Sequence, residues 1–562
     1  MRRNHAPCRP ALSLWRVAML AIASCAPLLA ACSSDDGAAP RLEMITEERL
    51  RADLFALAHD SMAGRLVGSP ELTRASDWIR DRFDALGLEP AGDGGTFDQR
   101  FDLVWFSLGS GDRLTVSGAS GAKMPGDGWT PVVGSSGSAA GPVVFAGFGI
   151  VEPRLGFDDY QGADVTGRIV LVLEREPGVD DPTSPFDGVV TAEASREWRK
   201  ALAAQERGAS AILFVRDVHA RPDVEDWPAL HRAQWPDEPR RIERFTLEGW
   251  IRDLRIPAAR ISAELAEGLV GGSGRTLRDL AEAAEAASEG LGIVELPGAR
   301  AELTTSVQRN VTPGRNLLAF VEGSDPVLRD EVVIVGAHHD HNGIDGETVY
   351  NGADDNGSGT VGVVAIAEAY AAAAELGERP RRSVMFAIWD AEERGLLGAW
   401  AYTLNPLFPL PRTVATLNMD MIGRHEEVPA DGGGRFTGLP VQTAESNANA
   451  VNILGYSRAP ELAAAVEAAN EATGLTLRLR YDNNRSNMLR RSDQWPFLQN
   501  DVPAVWFHTG LHPDYHTPDD DPERIEYEKM TRIVRLVHQT AWNVANANER
   551  PATEPMGSRP PS

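Results

Sequence analysis

Cysteine is almost missing from this chain. Among 562 residues there are three, Cys8, Cys25 and Cys32, all within the first 32 positions. No disulfide can form in the remainder, and a metal bound there must be held by His, Asp or Glu rather than by thiolate. The apolar stretch near the N-terminus, Val17 to Ala31, has 15 residues and is broken by Pro27. It falls short of the about 20 residues that a membrane span requires. Basic charge is scarce beside acidic charge: 55 Lys and Arg against 81 Asp and Glu, a formal net charge of −26. So acidic a surface repels phosphate backbones, which argues against nucleic acid as a partner, and it suits a protein that stays in solution. Hydrophobic residues at 43% and charged residues at 24% exclude a collagen-like, coiled-coil or disordered chain. The length points to more than one domain, since single cores rarely grow past roughly 250–300 residues.

The N-terminus reads as an export signal. Arg2, Arg3, Arg9 and Arg16 precede the apolar stretch, a positive region followed by a short hydrophobic one. Leu29-Ala30-Ala31-Cys32 resembles a bacterial lipobox. The resemblance implies removal of residues 1–31 and lipidation of Cys32. With Ser33 next, it implies an outer-membrane lipoprotein whose only membrane contact is the lipid anchor. An ordinary cleaved signal with Cys32 there by chance is the alternative. Residues 32–41 then form a tether.

Residues 45–60 carry apolar positions at helical spacing. Ser69-Pro70 predicts an N-cap and first helical turn, and Gly87 a stop. Between 126 and 295 the texture changes to short apolar runs, Val143–Ala146, Ile169–Leu173 and Ala211–Val215, with a helix-like stretch from Ser195 to Arg207. This predicts a smaller β-rich domain inserted into a larger one formed by 42–125 and 296–548. In the larger one, strands are expected at Val332–Gly336, Val384–Trp389, Val414–Asn418 and Val502–Phe507, with a helix from Ser358 to Leu376. Strands alternating with helices predict an α/β fold, a mixed and mostly parallel sheet flanked by helices. Residues 549–562, rich in Pro and Ser, are expected to be disordered.

Each of those four strands runs into potential metal ligands. The clusters are His338-His339-Asp340-His341; Asp354-Asp355-Asn356 after the next loop; Asp390-Ala391-Glu392-Glu393; Met419-Asp420-Met421; and Asp514-Tyr515-His516 with Asp519-Asp520. In open α/β sheets ligands bind beyond the carboxyl ends of the strands. Taken singly, each cluster has a structural explanation: a satisfied core histidine, an Asx turn, acids at a helix start. Taken together, carboxylates and imidazoles converging from five segments imply cations.

The set GAHHDH, NGADDNGSG, DAEERGLLG, LNMDMIGR and DYHTPDDD resembles the co-catalytic di-zinc aminopeptidase family, which includes glutamate carboxypeptidase and the glutaminyl cyclases. The likeness is strong over about 300–545 and weaker over 42–125. The segment 126–295 resembles a protease-associated domain, through GFGIVEPRLGFDDYQGADVTGRIVLV and GASAILFV. The family resemblance implies a zinc-exopeptidase fold and two Zn2+ per chain. It implies His338 and Asp420 on one ion, Glu393 and His516 on the other, and Asp355 bridging. Asp340 is implied as the carboxylate that orients His338, and Asp520 as a partner of His516. Glu392 is implied as the general base that takes a proton from a water shared by the ions. His339 and His341 have no ligand role in the family pattern.

The activity so implied is removal of N-terminal residues from peptides. A carboxypeptidase or dipeptidase of the same fold stands beside it, because an α-carboxylate needs Arg or Lys near the metals and Arg424, Arg485, Arg490 and Arg491 are present. A non-catalytic receptor is the third reading, though such relatives lose metal ligands and here every ligand position is filled. Preferred residue, oligomeric state and native metal are left open.

Overall fold

The structure is a computed structural model that describes residues 39–132, 136–220 and 225–554. The expected signal, Cys32 and most of the tether lie outside the described residues, as does the tail from 555. The described part of the tail does not stand free. Glu554 N–H donates to the Arg458 carbonyl at 2.8 Å and Arg550 to the Pro411 carbonyl at 2.8 Å.

Two sheets organise the chain. The larger has ten strands, and from edge to edge the main run is Thr246–Leu247, Asp98–Leu108, Val307–Val321, Ser383–Trp389, Val332–His338, Thr413–Met419, Ala504–His508, Ala450–Leu454 and Thr476–Arg478. The sheet is mixed, as expected. Its centre is parallel, from Ser383–Trp389 through Val332–His338 and Thr413–Met419 to Ala504–His508. Antiparallel pairs flank that centre, so the parallel share is smaller than the strand–helix rhythm suggested. The reason is topological: the long strands Asp98–Leu108 and Val307–Val321 bracket the second sheet in sequence and pair with each other antiparallel.

Strand alternation supplies both faces. Val333, Val335 and Ala337 enter one core with Gly359–Glu375, Tyr527–Asn546, Glu47–Leu57 and Pro70–Ala85. Ile334, Met385 and Ala387 enter the other with Leu397–Leu404 and Gln494–Gln499. Gly359–Glu375 is apolar almost all round because it is covered on nearly every side. The helix Pro70–Ala85 starts as its sequence predicts, with the Ser69 hydroxyl accepting from Leu72 N–H at 3.1 Å.

The second sheet has seven strands, ordered Arg113–Val116, Val294–Thr305, Gly137–Phe145, Ile169–Leu173, Ala211–Val215, Ala258–Ile261 and Trp129–Pro131. It has apolar cores of its own, begins before residue 126 and ends past 295. Its loop 182–196 docks on the larger sheet's surroundings. Asp187 pairs with Arg458, and Glu193 with Arg490 and the Trp495 Nε1–H. Thr191 N–H donates to Asn487 Oδ1 at 2.9 Å.

Candidate metal centre

The parallel centre of the larger sheet delivers its carboxyl ends to one place. His338 is the last residue of its strand, Asp420 follows Met419, and Glu392 and Glu393 sit in a short turn after Trp389. Asp355 comes from the turn that leads into Gly359–Glu375, where the Asp355–Asn356 peptide is cis. His516 comes from the loop after Ala504–His508. Three non-glycine residues here, Ala391, Met421 and His516, hold left-handed backbone with φ of 58°, 57° and 56°. Such conformations cost energy, and the surrounding structure must hold them.

The five expected ligands meet. His338 Nε2 lies 3.4 Å from Asp355 Oδ1 and 3.6 Å from Asp420 Oδ1. His516 Nε2 lies 2.9 Å from Asp355 Oδ2 and 3.2 Å from Glu393 Oε2. Asp355 therefore turns one oxygen to each histidine, the position of a bridging carboxylate. Asp354 points away: it accepts from Gly423 N–H and lies 3.2 Å from His512 Nε2. Glu392 Oε2 stands 3.6 Å from His338 Nε2.

Supporting groups fix this cage. Asp340 lies beside His338, its carboxylate 3.6 Å from Nδ1 and its own carbonyl 3.2 Å from the same nitrogen. Its carboxylate also accepts the backbone N–H of Glu392 at 2.9 Å and of Glu393 at 3.2 Å. One side chain thus orients a histidine and both glutamates. Asp520 acts differently from the expectation. It accepts from the N–H of Asp354 and Asp355, each at 3.0 Å on its shortest contact, and steadies the backbone of Asp355 rather than the His516 ring. The left-handed turn at His516 carries Asp520 under the Asp355 loop, a relation that spacing along the chain does not reveal.

Several contributors escape sequence reasoning. Ser492 donates to Asp420 Oδ2 and accepts from Asn418 at 2.7 Å, leaving Oδ1 for His338. Arg65, fully buried, donates to the carbonyls of His339, Leu57, Asn351 and Gly352 at 2.7–3.1 Å. Tyr515 stacks on His516 with centroids 3.9 Å apart. His341, buried like His338, places Nδ1 2.7 Å from Glu393 Oε1. His339 is a satisfied core residue, bonded to Ser76 Oγ at 2.7 Å and the Trp389 carbonyl at 2.8 Å.

The electrostatics ask for cations. Burial pulls the His338 imidazole down, but Glu392 and Asp420 outweigh it and hold it well above the ordinary range. Burial also opposes His516, yet Glu393 and Asp355 push it up to about 10. Burial raises the Glu392 carboxyl well above its usual range against the pull of His338, with Asp420, Asp493 and Glu393 adding to the rise. His338 Nε2 and both ring nitrogens of His341 are buried without a hydrogen-bond partner. Unpaired buried nitrogens facing carboxylates are costly unless a cation joins them. The atoms fall into two groups, each with its ligand atoms within 4.8 Å of one another: His341, Asp355, Glu393 and His516; and His338, Glu392 and Asp420. The donor set, imidazole nitrogen and carboxylate oxygen without thiolate, fits zinc.

Fold and site together define a mixed α/β protein with two neighbouring groups of potential metal ligands near the carboxyl ends of its parallel strands. Residues 316–541 match the family model described as peptidase family M28. A "Probable zinc metalloprotease" of Phaeosphaeria nodorum is 27% identical over 405 residues, 62% of this chain and 79% of that protein. A "Probable glutamate carboxypeptidase" of Arthroderma benhamiae is 32% identical over 127 residues, 22% of this chain. The match spans 16% of the length of that relative. "Leucine aminopeptidase 2" of Trichophyton rubrum is 28% identical over 42% of this chain and 41% of its own length. Among solved structures, an aminopeptidase from Aneurinibacillus sp. strain AM-1 aligns over 92% of this chain and 95% of its own, with 16% identity and a TM-score of 0.46.

Proposed function

We propose that the chain is a two-zinc exopeptidase that releases N-terminal residues from peptides. The observation that carries this reading is Asp355, whose two oxygens face two separate ligand sets, with a further carboxylate, Glu392, beside one of them. Zinc bound there supplies Lewis acidity to a scissile carbonyl and makes a water acidic near neutral pH.

The chain's own groups do the rest. Glu392 is buried, and its carboxyl sits well above the ordinary range because of that burial and of Asp420, Asp493 and Glu393. From that position a carboxylate can take a proton from water and return it to a departing amine. Asp340 fixes where Glu392 starts from the backbone, and Ser492 fixes Asp420. The His516 side chain is 34% exposed, whereas those of His338 and His341 are at 0%. The cage is therefore open on the His516 side, and Tyr515 lines that opening.

Support for the aminopeptidase polarity comes from arginines that are already engaged elsewhere. Of the four arginines that favour a carboxypeptidase, Arg424 is paired with Asp514 at 2.7 Å and Arg490 with Glu193 at 2.8 Å. Arg491, whose charge reaches Tyr515, carries the carboxypeptidase alternative, which the name of the Arthroderma relative also supports. A panel of aminoacyl-anilides and N-blocked dipeptides, each with and without chelator, tests the choice. Cleavage restricted to free-amine substrates and abolished by chelator is expected. Cleavage restricted to N-blocked dipeptides with a free carboxylate would reverse the polarity.

A further inference from the structure

His341 is a histidine that the family ligand pattern leaves out, yet it stands in the cage. Its backbone is anchored from another part of the chain: His341 N–H donates to the Arg65 carbonyl at 3.0 Å, and the residue bridges Leu66 in parallel. The ring is wedged against Gly352, where an added Cβ would come within 2.5 Å of it. It meets the His516 ring edge-on, with centroids 5.6 Å apart and planes at 70°. The ring therefore has little freedom to turn elsewhere.

Its contacts are those of a ligand rather than of a core histidine. Buried imidazoles are ordinarily hydrogen-bonded, as His339 is. Neither nitrogen of His341 has a hydrogen-bond partner, and both are fully buried. Nδ1 is only 2.7 Å from Glu393 Oε1 and 3.8 Å from Asp355 Oδ2, but the ring is not aimed to make a hydrogen bond with either oxygen. A nitrogen and a carboxylate oxygen brought this close off the hydrogen-bonding direction are arranged as donors that share an ion.

We propose that His341 is a fourth protein ligand of the Glu393–His516 compartment, so that this compartment is closed by two nitrogens and two oxygens while the His338–Asp420 compartment keeps an open position. The proposal rests on the two-zinc reading. Structural zinc sites have four protein ligands, and catalytic ones have three with a place left for water or substrate. In the second compartment His338, Asp420 and Asp355 are three, and Glu392 stands 3.6 Å from His338 Nε2. The open position thus falls beside the base, and the closed compartment serves as the anchor. The two ions are expected to differ in affinity, the anchored one leaving last under chelator.

Zinc titration of the full-length, chelator-stripped protein by calorimetry tests this, with wild type beside His341→Ala and His341→Gln. Wild type is expected to take up two equivalents. Loss of a direct ligand should weaken one of the two sites by more than the 10–100-fold typical of partners outside the ligand shell, so by roughly 100-fold or more, and leave the other within about threefold. Gln keeps an N–H donor but not the imidazole, so it should not restore the site. A smaller loss, or recovery in His341→Gln, overturns the ligand role while the two-zinc reading stands. A wild type that takes up no zinc, or a single equivalent, overturns the two-zinc reading itself. Should either variant fail to fold, X-ray absorption of the zinc-loaded wild type decides. Three imidazoles shared by two ions support the proposal, and two overturn it.

Discussion

Arg65 offers the sharpest prediction about how the cage is held. Its side chain is fully buried, and its guanidinium bonds four carbonyls drawn from three places: Leu57 at the end of a helix, His339 beside the first ligand, and Asn351 and Gly352 ahead of Asp355. Burial lowers its pKa to about 10 against the pull of Asp340, Asp520, Asp355 and Glu393, so it remains charged at neutral pH. In Arg65→Met the volume is nearly kept and the donors are lost. The Gly352 carbonyl retains the Gly357 N–H at 3.1 Å, which leaves three carbonyls deprived of the guanidinium. At about 1–3 kcal/mol for each buried acceptor left unpaired, the expected loss is about 3–9 kcal/mol, a large part of a typical total of about 5–15 kcal/mol. Arg65→Lys keeps the charge but reaches fewer carbonyls, and it should recover part of the loss. Urea unfolding in zinc-free buffer measures both, without stabilisation from bound metal. A loss of under about 1 kcal/mol in Arg65→Met would refute the reasoning.

Three further outcomes are expected. Glu392→Gln should lower kcat by roughly 10²–10⁴, the range for a general base, and retain both zinc ions by metal analysis; loss of an ion would make Glu392 a ligand. Asp355→Asn should reduce zinc uptake in both compartments, and unchanged stoichiometry and affinity would remove its bridging role. Burial opposes ionisation of Glu193, but Arg196, Arg490 and Trp495 overcome it and bring its pKa down from 4.5 to about 2. Because the folded value is depressed, its contribution of about 3 kcal/mol is complete above pH 4.5 and fades as pH falls toward 2. The Tm difference between wild type and Glu193→Gln should therefore shrink from pH 5 to pH 3; a constant difference would contradict the ion-pair account.

The cage was legible in the sequence to the extent that its ligands follow apolar strands. His338 and Asp420 come at or directly after the end of an apolar strand and Glu393 in the turn that follows one, and a parallel sheet brings such ends together without further information. Alternation also separates His338 from His339, since neighbours in a strand face opposite ways. It fails at His341, which lies past the strand end, where position is set by pairing with Leu66 across 275 residues. Ser492 was hidden for a similar reason, because it precedes a short helix and reads locally as a cap. Arg65 sits in a turn whose backbone is left-handed, φ 49°, and nothing near it in sequence says that it will be buried. In the fold, the long strands Asp98–Leu108 and Val307–Val321 were not read as strands. Residues 307–316 pair only with Asp98–Leu108, beyond the reach of Ser383–Trp389, so many residues there are half exposed, and Pro313 interrupts the apolar pattern.

Zinc-edge anomalous diffraction from crystals of the zinc-loaded protein tests the central claim most directly. Two peaks are expected on either side of the Asp355 carboxylate, one between His338 and Asp420 and the other between Glu393 and His516. No peak among these side chains, with zinc bound elsewhere or not at all, would contradict the account.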